Sequence, residues 1–168
     1  TTGAGGFLVS NHADWAEHAK HLSTQAKADM LQFLHDEVGY NYRMTNVQAC
    51  LGIAQLERLE DFITVKQARY AQYKAALDGV KGLRILPFRT DCTRPNLWFF
   101  SLYLKDSGLD RDTVIEQLQA QGIQTRPVWA LINEQADYPQ NEAYHLEKAE
   151  DYRRYIVNLP CSTNLSEA

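Results

Sequence analysis

Apolar residues recur along the chain at different spacings, and the changes between them mark its elements. GAGG (3–6) followed by FLVS (7–10) predicts a Gly-rich turn leading into a short buried strand. Asn11 then stands where a helix N-cap belongs, with Asp14 in the first turn and Trp15, Ala19 and Leu22 on one helical face. From Ser23 to Met44 the pattern is irregular, which predicts a long loop; such loops inside compact domains are uncommon and usually functional. Thr45 and Gln48 have the spacing of a capping box, so the next helix is predicted to begin directly after GYNYRM. Ile53, Leu56, Leu59 and Ile63 continue at helical spacing, with neither Pro nor Gly before Asp78. One long connecting helix between two domains is the expectation.

Past Gly79 and Gly82 the character changes. LRILPF (83–88) and NLWFFSLYL (96–104) have the aromatic and apolar content of strands. Asp110 is placed to cap a helix with Val114, Ile115 and Leu118 inward, and Gly122 followed by Ile123 fits its left-handed C-terminal turn. IQTRPVW (123–129) predicts a third strand ending near Pro127, residues 147–157 a further helix, and NLPCSTNL a connection. This order predicts a small α/β sandwich with helices on one face of a short sheet. The chain opens without Met inside a predicted turn and strand, and Ser166, Glu167 and Ala168 resemble the first turn of a helix that goes no further. A fragment of a longer protein is expected.

Composition narrows the functional classes. With 45% hydrophobic and 23% charged residues, the 168-residue chain has material for a core. A net charge of −4 points away from non-specific nucleic-acid binding, and no apolar run reaches the length of a membrane span. Cys50, Cys92 and Cys161 share no metal-ligand spacing and fit reduced thiols in a cytoplasmic protein. The five histidines form no ligand motif, so no metal is expected.

Candidate chemistry gathers in two places. GYNYRMTN (39–46) concentrates hydrogen-bonding side chains just before a helix, whose first turn offers unpaired N–H groups and a positive dipole end to an anion. Asn41 can donate an amide hydrogen bond to a phosphate oxygen and Arg43 a charge-assisted one; alternatively, Asn41 fixes a turn while Arg43 pairs with Asp36 or Glu37. TRPVW (125–129) sets Arg126 and Trp129 at a strand end, as ligand contacts or as a surface ion pair and a core aromatic. Trp98 is expected in the core, as is Cys50. Tyr40 and Tyr42 can pack while presenting hydroxyls, and His35 is a lone loop histidine. No complete catalytic set is visible.

In order and spacing, TTGAGGFLVSN, HLSTQAK, HDEVGYNYRMTNVQACLGIAQLERL, TRPVW and NLPCSTNL resemble the later part of the DegT/DnrJ/StrS-type nucleotide-sugar aminotransferases, which depend on pyridoxal phosphate. The GYNYRMTN…QAC…QLE block is the most specific part. HDEVGYNYRMTN and TRPNLWFFSL are most similar to members acting on 4-keto sugars in amino-sugar or surface-polysaccharide pathways. The resemblance implies an α/β transferase of fold type I, with residues 1–60 closing its large domain and 61–168 forming most of its small C-terminal one. It implies a homodimer with shared active sites, glutamate as amino donor and a nucleotide-linked keto sugar as acceptor. Asn41 matches the residue that reaches the cofactor phosphate of the neighbouring subunit, and Arg43 and Arg126 are expected on the substrate side. The family's Schiff-base lysine precedes the TTGxGG motif, hence Thr1, so the chain alone is expected to hold no catalytic residue and to be inactive. Members often place a His shortly after TRPVW, where this chain has ALINEQADY with Asn133. A sugar 3-dehydratase, with His for that lysine, and a non-catalytic relative are the alternatives.

Overall fold

A computed structural model describes residues 1–138 and 142–164. Their contacts gather into two compact units, Thr1–Leu59 and Glu60–Ala168. The turn expected at Ser166–Ala168 lies outside the described residues.

The first unit contains helix α1 (Ala13–Ser23), a small antiparallel hairpin of β1 (Lys27–Asp29) and β2 (Leu34–His35), and helix α2 (Asn46–Glu57). The strand expected at FLVS is not formed: residues 7–10 join no ladder, and Phe7, Leu8 and Val9 are exposed. A strand needs a neighbour for its N–H and C=O groups, and none runs beside this segment among the described residues. The N-cap of α1 is His12 rather than Asn11; His12 is extended, and its N–H donates to Ser10 Oγ at 3.0 Å. Trp15 is exposed, and the half-buried stripe runs instead through Ala16, Ala19 and Leu22. The segment expected to be irregular carries the hairpin, whose turn is held by Asp29 Oδ1 accepting from the N–H groups of Leu31 and Gln32. Sequence periodicity misses it because strands of two or three residues leave almost no alternation to detect.

α2 begins as the pattern predicts. Gln48 N–H donates to Thr45 Oγ1 and Thr45 N–H to Gln48 Oε1, a complete capping box. The expected single long helix is two helices, however, because α2 ends at Arg58 and α3 (Leu59–Leu77) starts beyond it. Arg58 N–H bonds back to Gln55 O, a tightened last turn that needs neither Pro nor Gly. Of the apolar stripe through this region, Ile63 is buried while Ile53, Leu56 and Leu59 are exposed.

The second unit is built on a four-stranded antiparallel sheet of order β3 (Arg84–Ile85), β4 (Phe100–Tyr103), β6 (Ile156–Leu159), β5 (Arg126–Pro127). Helices α4 (Arg111–Ala120) and α5 (Glu147–Tyr155) accompany it. β6 corrects the expectation of a connection after residue 157: IVNL is a central strand, buried at all four positions. A strand buried on both faces shows no alternation, and no turn residue separates it from α5. The predicted strands at 83–88 and 96–104 are shortened. Pro87 cannot donate to a ladder, and Leu97 has a left-handed φ of 57° that turns the chain just before β4.

Alternation along β4 and β6 divides their residues between two faces. Phe100, Leu102, Val157 and Leu159 form the core, covered by Tyr70, Tyr73 and Leu77 of α3 and by Val114 and Ile115 of α4. On the other face Ser101 Oγ donates to Asn158 Oδ1 at 2.8 Å, and the Tyr103 hydroxyl bonds Asp151 of α5. Helices therefore touch both faces, not one, because α5 uses polar and aromatic contacts rather than an apolar stripe. α4 is capped as predicted: Asp110 accepts from Thr113 N–H at 2.9 Å. At its other end Gly122 (φ 78°) and Ile123 donate to Gln119 O and Leu118 O, closing a Schellman turn. Lys66 Nζ reaches from α3 to the carbonyls of Leu97 (3.2 Å) and Cys161 (2.6 Å), tying the entrance of β4 to the exit of β6.

Two outcomes follow. Phe100 is fully buried, so Phe100→Ala should lower the free energy of chemical denaturation by about 3–5 kcal/mol. Hydrogen bonds from Lys105 and then Tyr103 hold the Asp151 carboxyl below the usual carboxylate range. That contribution is complete above about pH 4 and is lost as pH falls through the depressed value, so Asp151→Asn should flatten the acid limb of the stability curve.

Candidate functional site

The site loop is shaped by one close approach. After α1 the chain turns through Gln25 and Ala26, both with positive φ (72° and 48°), and residues 39–42 fold back on this corner. Tyr40 N–H donates to Leu22 O at 2.7 Å, Gln25 N–H to Tyr40 O at 3.0 Å, and Tyr42 N–H to Ser23 O at 3.0 Å. A Cβ on Gly39 would lie 2.4 Å from the Ala26 nitrogen, so only glycine fits where GYN crosses the corner. Asn41 bridges Thr24, and Tyr40 and Tyr42 stack with ring centroids 5.2 Å apart.

This fold-back sets what each loop side chain meets. Asp36 and Glu37 face α1: Asp36 Oδ1 is 2.6 Å from His21 Nε2, and Glu37 Oε1 is 3.4 Å from His18 Nε2. The His21 bond holds the Asp36 carboxyl below its ordinary range. Arg43 is paired with neither; its Nε donates to Asn41 Oδ1 at 3.2 Å, so the structure brings those two expected site residues together. Asn41 is exposed. Arg43 lines a cleft of about 770 Å³ with Gly5, Gly6, Lys20, Tyr42 and Gln48. The cleft lining carries two cations and no carboxylate, which favours an anion. Lys20 escaped the sequence reading because a lysine on an amphipathic helix is ordinarily solvated. His35 has a plain structural role, with Nδ1 2.6 Å from Gln25 O.

The second unit holds Arg126, on β5 opposite Asn158. Its guanidinium makes no ion pair among the described residues, against the alternative of a surface pair. Trp98 and Trp129 are exposed (61% and 65%), which corrects the expected burial of Trp98 and goes against the core alternative for Trp129. They meet each other at 5.8 Å between centroids, with Phe99 5.4 Å from Trp129. β4 begins only at Phe100, so strand alternation does not reach Trp98 and the apolar run there does not imply burial. Cys50 is likewise exposed, because the face of α2 that bears it is uncovered by any described residue. No described helix is long and apolar enough to cross a membrane.

The mixed α/β architecture is that of the sugar aminotransferases. Aminotransferase TlmJ of Streptoalloteichus hindustanus superposes with a TM-score of 0.84 at 24% identity, over 94% of this chain and 42% of that one. The sequence model of the DegT/DnrJ/EryC1/StrS aminotransferase family matches residues 1–168, and the chain belongs to that family. EpsN of Bacillus subtilis (strain 168) is 33% identical over 99% of the chain and 44% of its own length. GDP-perosamine synthase of Caulobacter vibrioides is 31% identical over 100% of the chain and 46% of its own length. The chain thus spans a little under half the length of these relatives.

If Gly39 sets the loop, Gly39→Ala should cost about 1–3 kcal/mol and strip hydrogen-exchange protection from the amides of Tyr40 and Gln25. Gly79→Ala, where a Cβ meets nothing within 4 Å, should leave both unchanged.

Proposed function

We propose that the protein containing this chain is a pyridoxal-phosphate-dependent aminotransferase that moves an amino group from glutamate to a 4-keto nucleotide sugar, for amino-sugar or surface-polysaccharide synthesis. The observation that carries the reading is the match to GDP-perosamine synthase over 100% of the chain. On this reading Thr1–Leu59 closes the large, cofactor-binding domain and Glu60–Ala168 belongs to the small C-terminal one. The protein is a cytoplasmic homodimer.

The chain's own residues fit the cofactor's phosphate. Asn41 is exposed, and its side-chain nitrogen has no partner among the described residues while its oxygen is steadied by Arg43. When bound, pyridoxal phosphate supplies the electron sink for transamination, and the family's lysine, which the resemblance sets ahead of Thr1, supplies the amine that holds it. Asn41 is assigned to the phosphate of the neighbouring subunit's cofactor. Arg43 and Arg126 are assigned to the anionic groups of the substrate, for which a guanidinium offers bidentate hydrogen bonding. With Asn133 after TRPVW in place of the family's frequent His, the sugar contact made there differs from that of members carrying the His.

Adding glutamate to the purified whole protein with cofactor should convert the bound pyridoxal form to the amine form and release 2-oxoglutarate. A nucleotide-linked 4-keto sugar should then regenerate the first form. Failure of the glutamate step with cofactor bound would overturn the transaminase reading; a His at the upstream lysine position would replace it with the 3-dehydratase. Asn41→Ala should weaken cofactor retention by about 1–3 kcal/mol in equilibrium dialysis, the cost of stranding a hydrogen-bond partner. Unchanged retention would remove Asn41 from the site.

A further inference from the structure

α1 and the hairpin loop bring together a set of donors that the proposed transfer reaction does not use. His18 and His21 lie three residues apart on α1, hence on one helical face. Asp36 and Glu37 follow β2 directly. Main-chain bonds hold the two segments in place: Ala26 N–H donates to His21 O at 2.9 Å and Asp36 N–H to Ala26 O at 3.2 Å. Three ligand atoms converge, with the His18 imidazole beside one of them. His21 Nε2 lies 2.6 Å from Asp36 Oδ1 and 3.7 Å from Glu37 Oε1, and His18 Nε2 lies 3.4 Å from Glu37 Oε1. The ligand atoms of His21, Asp36 and Glu37 all fall within 4.8 Å of one another.

We propose that His21, Asp36 and Glu37 form a binding site for one borderline divalent cation of the Zn²⁺ class, which pins the hairpin loop to α1, with His18 beside Glu37. The spacing fits. Zn–N and Zn–O bonds of about 2.0–2.2 Å put neighbouring ligands of a tetrahedral ion about 3.3 Å apart, within the range spanned by these contacts. The chemistry fits as well. An imidazole with two carboxylates suits Zn²⁺, Co²⁺ or Ni²⁺, whereas Mg²⁺ and Ca²⁺ prefer all-oxygen shells. The two carboxylates balance the charge of the ion. No motif announces the site because its ligands come from a helix and a loop brought together only by the fold-back.

Calorimetric titration of the purified protein with ZnCl₂ in chelator-free buffer tests this, with Co²⁺ absorption as a second readout. One saturable site per chain is expected. His21→Ala and Asp36→Asn should each weaken Zn²⁺ binding by about 100-fold, since even outer-shell partners of metal ligands are worth about 10–100-fold. Both should abolish the visible Co²⁺ bands. His12→Ala and His145→Ala, outside the cluster, should change neither. Absence of saturable binding, or binding by His21→Ala equal to that of the parent, would overturn the proposal. Should His21→Ala fail to fold, Glu37→Gln at an exposed position applies the same criterion.

Discussion

Three main-chain hydrogen bonds, in which residues 40–42 fold back on the end of α1, set what the first unit presents to its surroundings. They exist because Gln25 and Ala26 accept left-handed backbone and because Gly39 has no Cβ to strike that corner. From this follow the direction of Asn41, the release of Arg43 from the acidic pair, and the start of α2 at its capping box. The unit has little core to do this by packing: among its described residues Ala26 is the one fully buried apolar side chain. Hydrogen-bond geometry takes the place of hydrophobic burial here.

The second unit is organised the other way. Phe100, Leu104 and Val157 are fully buried, and three helices cover a sheet whose strands are only two to four residues long. Short strands suffice because side-chain ties secure their ends. Lys66 binds the carbonyls at the entrance of β4 and the exit of β6, and Asp151 joins α5 to Tyr103 and Lys105. The same arrangement leaves Trp98, Phe99 and Trp129 clustered at the surface, with Arg126 on the edge strand and without an ion-pair partner among the described residues.

Features encoded by a local chemical signature were legible in the sequence. The Thr45–Gln48 box, the Asp110 cap and the Gly122 Schellman turn all appear where their residues demand. Features depending on what lies opposite a segment were not. FLVS has strand composition without a neighbour among the described residues, IVNL lacks the alternation that marks a strand, and Arg58 ends a helix with no breaker. For the candidate site, proximity of Asn41 and Arg43 follows from their spacing, whereas the pairing of Asp36 and Glu37 with α1 depends on the fold-back and was invisible. Trp98 misled for a related reason: it belongs to the apolar run but lies ahead of Phe100, the first residue of β4, so no ladder fixes which way it faces.

The role proposed for Asn41 is to reach, from this fold-back, the phosphate of a cofactor held by another subunit. A crystal structure of the whole protein with pyridoxal phosphate bound tests it most directly. The Asn41 side-chain nitrogen should lie within hydrogen-bonding distance of a phosphate oxygen on the neighbouring subunit's cofactor. A cofactor phosphate satisfied entirely by its own subunit, with Asn41 turned to solvent, would contradict it.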